Sequence, residues 1–331
     1  MKIRVAAVQL NSILGNVEEN AMKALKLLEK AINPAQQKPD LIVFPEMALT
    51  GYNFRSPQQV SPFLETVGKG RSYEFGRLIS EKWNCLTLLG YPETFSGKIY
   101  NSAVLIDSKG CVVYNYRKTH LYETDKLWGC SESPDGFKSF DVEIRGHKVK
   151  SIIGICMDLN PYEFTAPFDA YEFATIAAKD KCQLIIIPTA WMNSAWKENW
   201  TDEEVNNFRE VYDSNEVEEI DTIANETRDR RIYSEDALEY HFGLTDNRTA
   251  RYWIMRLDPL FSKPHPDLIQ GVIICNRSGM EDRLMYAGTS SIFTFGGGPM
   301  IKDCNHVTID VKIHGSLGQG TEGVIIRDIE I

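Results

Sequence analysis

Histidine is scarce, six residues in 331, and none falls in an HExxH run or a paired Cys/His knuckle. The zinc spacings that a sequence can reveal are therefore excluded, and no metal or other cofactor is expected. The cysteines are Cys85, Cys111, Cys130, Cys156, Cys182, Cys275 and Cys304, an odd number without a CxxC pair. With no apolar leader ahead of the first strand, this excludes a disulfide framework and points to reduced thiols in a cytoplasmic protein. Long apolar runs are missing too, which argues against a membrane span. Positive charge is outweighed, 36 Lys and Arg against 46 Asp and Glu. The resulting net charge of −10 argues against nucleic acid or an anionic membrane as the main partner, and leaves room for a cationic group on a substrate.

What the chain does have is alternation. Residues 3–10 read as a first strand, and residues 16–33 as an amphipathic helix with Asn16 at its start. Asp40-Leu41-Ile42-Val43-Phe44 is a continuous apolar run of the kind buried on both faces, closed by Pro45-Glu46, and Gln183-Leu184-Ile185-Ile186-Ile187-Pro188 repeats the pattern. A helix at 72–83 and a strand at 86–91 follow the first run. Residues 100–106 and 111–116, joined by Asp107-Ser108-Lys109-Gly110, read as a hairpin. A strand at 149–155, a helix at 168–181 and strands at 271–275 and 290–295 complete the core. Alternating buried strands and helices with an inserted hairpin predict an α/β fold with a mixed sheet, and the two similar halves suggest sheet on sheet with helices outside. Residues 194–267 differ in composition, with charged runs such as Asp202-Glu203-Glu204, and are expected to be an insertion over the face where the strands end.

Three chemically apt residues stand just after strands: Glu46, Lys118 and Cys156. Cys156 sits where Ser151-Ile152-Ile153-Gly154-Ile155 must turn, with Pro161 shortly beyond. A nucleophile on a tight strand-to-helix turn is exposed at the sheet edge, with backbone N–H groups nearby for an oxyanion. A buried structural cysteine is the plain alternative. For Glu46 and Lys118 it is a surface charge after a strand. Agreement of placement and chemistry at three strand ends favours one shared cleft. His120, two residues past Lys118, leaves a cysteine–histidine dyad open as a competitor.

Phe44-Pro45-Glu46-Met47-Ala48-Leu49-Thr50-Gly51-Tyr52, Tyr116-Arg117-Lys118-Thr119-His120-Leu121-Tyr122 and Gly154-Ile155-Cys156-Met157-Asp158 together resemble the three signature blocks of the nitrilase superfamily of carbon–nitrogen hydrolases, and Gly288-Thr289-Ser290-Ser291-Ile292 resembles its late strand motif. The likeness runs over nearly the whole chain. Within the superfamily, Cys130 with Glu132, Ile153 to Tyr162 and Ala190-Trp191-Met192-Asn193-Ser194 resemble the fungal branch that deamidates amino-terminal Asn and Gln in the N-degron pathway. Most branches carry Arg where Asn160 stands. The resemblance implies a four-layer αββα sandwich in a single domain spanning 1–331. It implies Glu46 as general base, Lys118 as oxyanion donor and Cys156 as nucleophile forming a thioester. It also implies a second glutamate behind the lysine, for which Glu132 matches better than Glu123. The Met157 N–H would be a further oxyanion donor, and Asp158, Trp191, Asn193 and Tyr122 would line the substrate pocket. Asp158, Glu281 and Asp282 are candidate readers of an α-amino group. The partners implied are peptides or proteins that begin with Asn or Gln. A small-molecule ω-amidase or carbamoylase, or a catalytically silent binding protein on the same fold, is the alternative. The oligomeric state is left open.

Overall fold

The computed structural model describes residues 1–33, 38–197, 200–214, 243–262, 268–296, 301–303, 306–308 and 311–331. Two six-stranded sheets are stacked face to face. In the first, β1 (Lys2–Gln9), β2 (Leu41–Val43) and β3 (Leu86–Phe95) run parallel, and β3 continues antiparallel through β4 (Lys98–Ile106) into β5 (Val112–Arg117). The strand Gly323–Glu330 closes the other edge against β1. The second sheet repeats this plan. β6 (Ser139–Ile144) pairs antiparallel with β7 (His147–Ile153), and β7, β8 (Leu184–Thr189) and β9 (Gln270–Asn276) run parallel. Ser291–Phe295 and Val311–Ser316 then follow antiparallel.

The sequence dictates the layering through its period of two. In β1, Val5 and Ala7 enter the core between the sheets, whereas Ala6 and Val8 face an outer helical layer. In β8, Leu184 and Ile186 face inward and Ile185 and Ile187 outward. Each face therefore needs a cover. Helices Val17–Ala31 and Arg71–Trp83 cover the first sheet with Ala24, Leu28, Phe75 and Ile79. Helices Glu172–Lys179 and Asn247–Arg256 cover the second with Phe173, Ala177 and Trp253. The result is a four-layer αββα sandwich, as the resemblance implied. Among the described residues, no helix is long and apolar enough to cross a membrane.

Some local expectations are adjusted. The helix expected over 168–181 is a short 3-10 turn at Phe168–Ala170 and a helix at Glu172–Lys179, separated by Tyr171 in the left-handed region at φ 44°. Asn16 does precede its helix, but its side chain turns to Glu19 instead of capping the backbone. Within 194–267, helices Asp202–Ser214 and Asn247–Arg256 form. Residues 198–199, 215–242 and 263–267 of that segment lie outside the described residues.

Candidate active site

The loops that leave β2, β5, β7 and β8 meet at one edge of the sandwich. β2 ends at Val43, and Phe44-Pro45 deliver Glu46. Met47, next along, takes φ 49°, a left-handed conformation that turns the chain sharply back. Gly90 of β3 makes room for this turn, since a Cβ there would lie 2.7 Å from both Glu46 Cα and Met47 N. Lys118 follows β5 directly. Cys156 begins a 3-10 turn, Cys156–Leu159, three residues past β7, and holds φ 43°. That strained geometry is what a strand-to-turn elbow demands of its exposed residue.

Lys118, Glu46, Asp125 and Asn101 are all fully buried. Lys118 Nζ donates to Glu46 Oε1 at 2.7 Å and to Asp125 Oδ2 at 2.7 Å. Asn101 Nδ2 donates to the same two carboxylates, at 2.6 Å to Glu46 Oε1 and 2.9 Å to Asp125 Oδ1. The Ala190 N–H, from the end of β8, donates to Glu46 Oε2 at 2.7 Å. The second sheet thus holds one oxygen of Glu46 while the first sheet holds the other. Tyr52 lies with its ring 5.6 Å from Lys118 Nζ.

Burial and charge oppose each other across this cluster. Burial pushes the Glu46 carboxyl above its usual range, with Lys118 pulling it back. Burial alone would lower Lys118, but Asp125 and Glu46 more than compensate and hold the ammonium well above its ordinary value. Burial and the Glu46 charge raise the Cys156 thiol well above its usual value, against the pull of Lys118. The resting arrangement is a protonated thiol beside a carboxylate whose proton affinity is raised and a lysine that keeps its charge. Such a set can move a proton from sulfur to carboxylate and present a cation to a developing oxyanion.

Cys156 is only partly buried and opens on a cavity of about 430 Å³, whose walls include Met157, Trp191, Asn193, Tyr122 and Tyr252. Four of the five residues expected to line a substrate pocket are therefore there. The fifth, Asp158, is not. Its carboxylate is buried beneath the elbow, accepting from the Ile155 N–H at 2.7 Å, the Tyr116 hydroxyl at 2.8 Å, the Thr119 N–H at 3.0 Å and the His120 N–H at 2.7 Å. It ties the Cys156 turn to the chain just after Lys118. Glu281 is likewise occupied, capping the Tyr52 and Asn53 N–H groups and pairing with Arg277. Asp282 pairs with Arg55 at the surface.

The carboxylate behind Lys118 also differs from expectation. Glu132 is exposed and accepts from the Tyr162 hydroxyl at 2.9 Å, and Glu123 is exposed as well. The place is taken by Asp125. The five-residue helix Glu123–Leu127 starts immediately after Tyr122, and the Tyr122 N–H donates to Asp125 Oδ2 at 2.8 Å, so the first turn swings this aspartate back onto the lysine. The readable signal is an aspartate three residues past the N-cap Tyr122, where an acidic side chain commonly reaches back to the cap. Asn101, on β4, carried no signal except that a polar residue interrupts an apolar strand. His120 does not line the cavity. Its Nδ1 lies 3.1 Å from the Asn160 carbonyl, and its ring packs edge-on against Phe137 and Tyr162.

This fold and site define a carbon–nitrogen hydrolase. The family model of that description matches residues 4–160, the stretch that carries Glu46, Lys118 and Cys156. Over its full length the chain is similar to the protein N-terminal amidase of Saccharomyces cerevisiae, with 28% identity covering 100% of this chain and 95% of that one. Among solved structures it is similar to an N-terminal amidase with an Asn-Glu-Ala peptide, at 27% identity and a TM-score of 0.85, covering 99% of this chain and 97% of that one. An N-terminal amidase with a Gln-Val peptide superimposes with a TM-score of 0.84 at 28% identity, with the same coverage.

Proposed function

We propose that this chain hydrolyses the side-chain carboxamide of an amino-terminal Asn or Gln on a peptide or protein, giving Asp or Glu and ammonia. The observation that carries the reading is a partly buried Cys156 at the wall of an aromatic-lined cavity, with Lys118 hydrogen-bonded to both Glu46 and Asp125 behind it. The full-length similarity to N-terminal amidases supports the same substrate class.

The chemistry follows from the proton affinities. Glu46 takes the thiol proton as Cys156 sulfur bonds to the carboxamide carbon, and the carbonyl π-electrons move to oxygen. Lys118 and the Met157 N–H hold that oxyanion. As it collapses, the C–N bond breaks, and Glu46 returns its proton to the departing nitrogen, which leaves as ammonia. A thioester remains. Water then gives a proton to Glu46 and attacks the acyl carbon. The C–S bond breaks, the acid is released, and Glu46 reprotonates the sulfur. Asp125 and Asn101 keep Lys118 charged and aimed while the charge on Glu46 comes and goes.

Residues 1–331 act as one domain in this account. Ser194, Trp196 and Tyr252, from the 194–267 segment, help to wall the cavity and so bring that segment's described parts into this account. The protein would work in the cytoplasm, where a free thiol stays reduced, and its products would enter the N-degron pathway.

The test uses two peptides, Asn-Ala-Ala-NH2 and its N-acetylated form, incubated with the protein and read by mass spectrometry. Amide-to-acid conversion of the free-amino peptide alone is expected. Equal rates for both would overturn the amino-terminal reading in favour of a general amidase.

A further inference from the structure

Among the described residues, every one that lines the cavity is neutral at pH 7 except Arg248. Its side chain is exposed, on the first turn of the helix Asn247–Arg256, and no carboxylate among the described residues pairs with it. The nearest candidate in sequence, Asp246, is buried and fully engaged. It accepts from the Ser194 N–H at 2.7 Å, the Ser194 hydroxyl at 2.8 Å, the Thr249 hydroxyl at 2.8 Å, and the Arg248 and Thr249 N–H groups at 3.1 Å. Asp246 fixes the start of the helix, and with it the place where Arg248 meets the cavity. Arg248 thus stands at the cavity wall as an exposed cation.

A cation at the mouth repels an α-ammonium and attracts a carboxylate, and a planar guanidinium can take a carboxylate with two hydrogen bonds. We propose that Arg248 is a specificity-determining residue that binds a carboxylate carried by the substrate beyond its first residue. This rests on the amino-terminal amidase reading above. The amide side chain enters towards Cys156, and the rest of the peptide leaves past Arg248. A carboxylate there comes from an acidic second residue or from the free C-terminus of a dipeptide. Since Arg248 touches no reacting atom, the preference falls on KM and not on kcat.

The experiment measures kcat and KM at low salt for Asn-Glu-Ala-NH2, Asn-Gln-Ala-NH2 and Asn-Lys-Ala-NH2, with Asn-Ala and Asn-Ala-NH2 separating a side-chain from a terminal carboxylate. The acidic peptide should exceed its neutral isostere about threefold in kcat/KM, as partly exposed ion pairs do. The ratio should shrink towards one in about 1 M salt. Arg248→Glu should reverse the order in favour of the lysine peptide, and Arg248→Lys should keep part of it. A merely structural role would lower all three peptides together and leave the ratios intact. Equal KM for the acidic and neutral peptides in the native protein at low salt overturns the proposal without needing any variant. Failure to deamidate any of the free-amino peptides overturns the amidase reading itself, and this proposal with it.

Discussion

Lys118 Nζ stands 2.7 Å from Asp125 Oδ2, the same distance that separates it from Glu46 Oε1. One ammonium therefore serves two buried carboxylates, of which only Glu46 is contacted from the second sheet, through the Ala190 N–H. Asp125→Asn keeps the shape and removes the charge that holds Lys118 protonated. We expect kcat to fall by at least about tenfold, with KM nearly unchanged because Asp125 does not line the cavity. Steady-state kinetics on an Asn-peptide checks this, and a fall confined to KM would contradict it. Asp125→Glu should not restore the rate, since an added methylene in a fully buried site costs about 1–3 kcal/mol in strain.

Removing the cation itself has two separable consequences. Lys118→Ala deletes the proposed oxyanion donor, a loss of about 2.7–4 kcal/mol in the barrier, or 10²–10³-fold in rate. It also leaves Glu46 and Asp125 buried without their cation, which costs on the order of 3–5 kcal/mol in stability. Thermal melts beside kinetics should therefore show both a lower Tm and a nearly inactive enzyme. An unchanged Tm would mean that the carboxylates do not depend on this lysine.

Glu46, as the proposed base, must be ionised to accept the thiol proton. Burial raises the Glu46 carboxyl above the ordinary value of 4.5. The rate should thus fall as pH drops through a value higher than that of a free glutamate, and hold on its alkaline side. Glu46→Gln should abolish turnover at every pH. His120 supports the Asn160 carbonyl and not the thiol, so His120→Ala should retain far more activity than Glu46→Gln. The reverse order would install a histidine base.

Gly90 tests the backbone that presents Glu46. A methyl group at this position meets backbone atoms of Pro45, Glu46 and Met47 at 2.7–2.9 Å, and none of these can swing aside as a side-chain tip could. Gly90→Ala should lower kcat severely while the β3–β4 pairing keeps the fold, which circular dichroism and kinetics together would reveal. Full activity would show that the Glu46 turn has slack.

Much of this was readable from the residues. The apolar runs at 41–44 and 184–187 announced strands covered on both sides, and three reactive residues at strand ends announced the cleft. Asp125 was missed because its position depends on a five-residue helix that begins just after Tyr122, a residue without a capping side chain of the usual kind, and because glutamate was the residue sought. Asp158 could not be assigned from adjacency alone. Three of its four hydrogen bonds form only when the Cys156 turn packs against residues 116–120, a contact between sheets that no local pattern encodes. The cavity walls were half legible. Trp191 and Asn193 follow β8 directly, whereas Tyr252 reaches the site from a helix some sixty residues later, hydrogen-bonding Asn160 Oδ1 at 2.7 Å.

The central claim is that Cys156 forms a covalent bond with the carboxamide carbon of an amino-terminal Asn or Gln. Rapid acid quenching during turnover of Asn-Ala-Ala-NH2, followed by intact-protein and peptide mass spectrometry, tests it directly. The account predicts a species heavier than the free protein by the mass of the peptide less that of ammonia, mapped to Cys156 and absent from Cys156→Ala. Undiminished deamidation by Cys156→Ala, or an adduct on another residue, would contradict it.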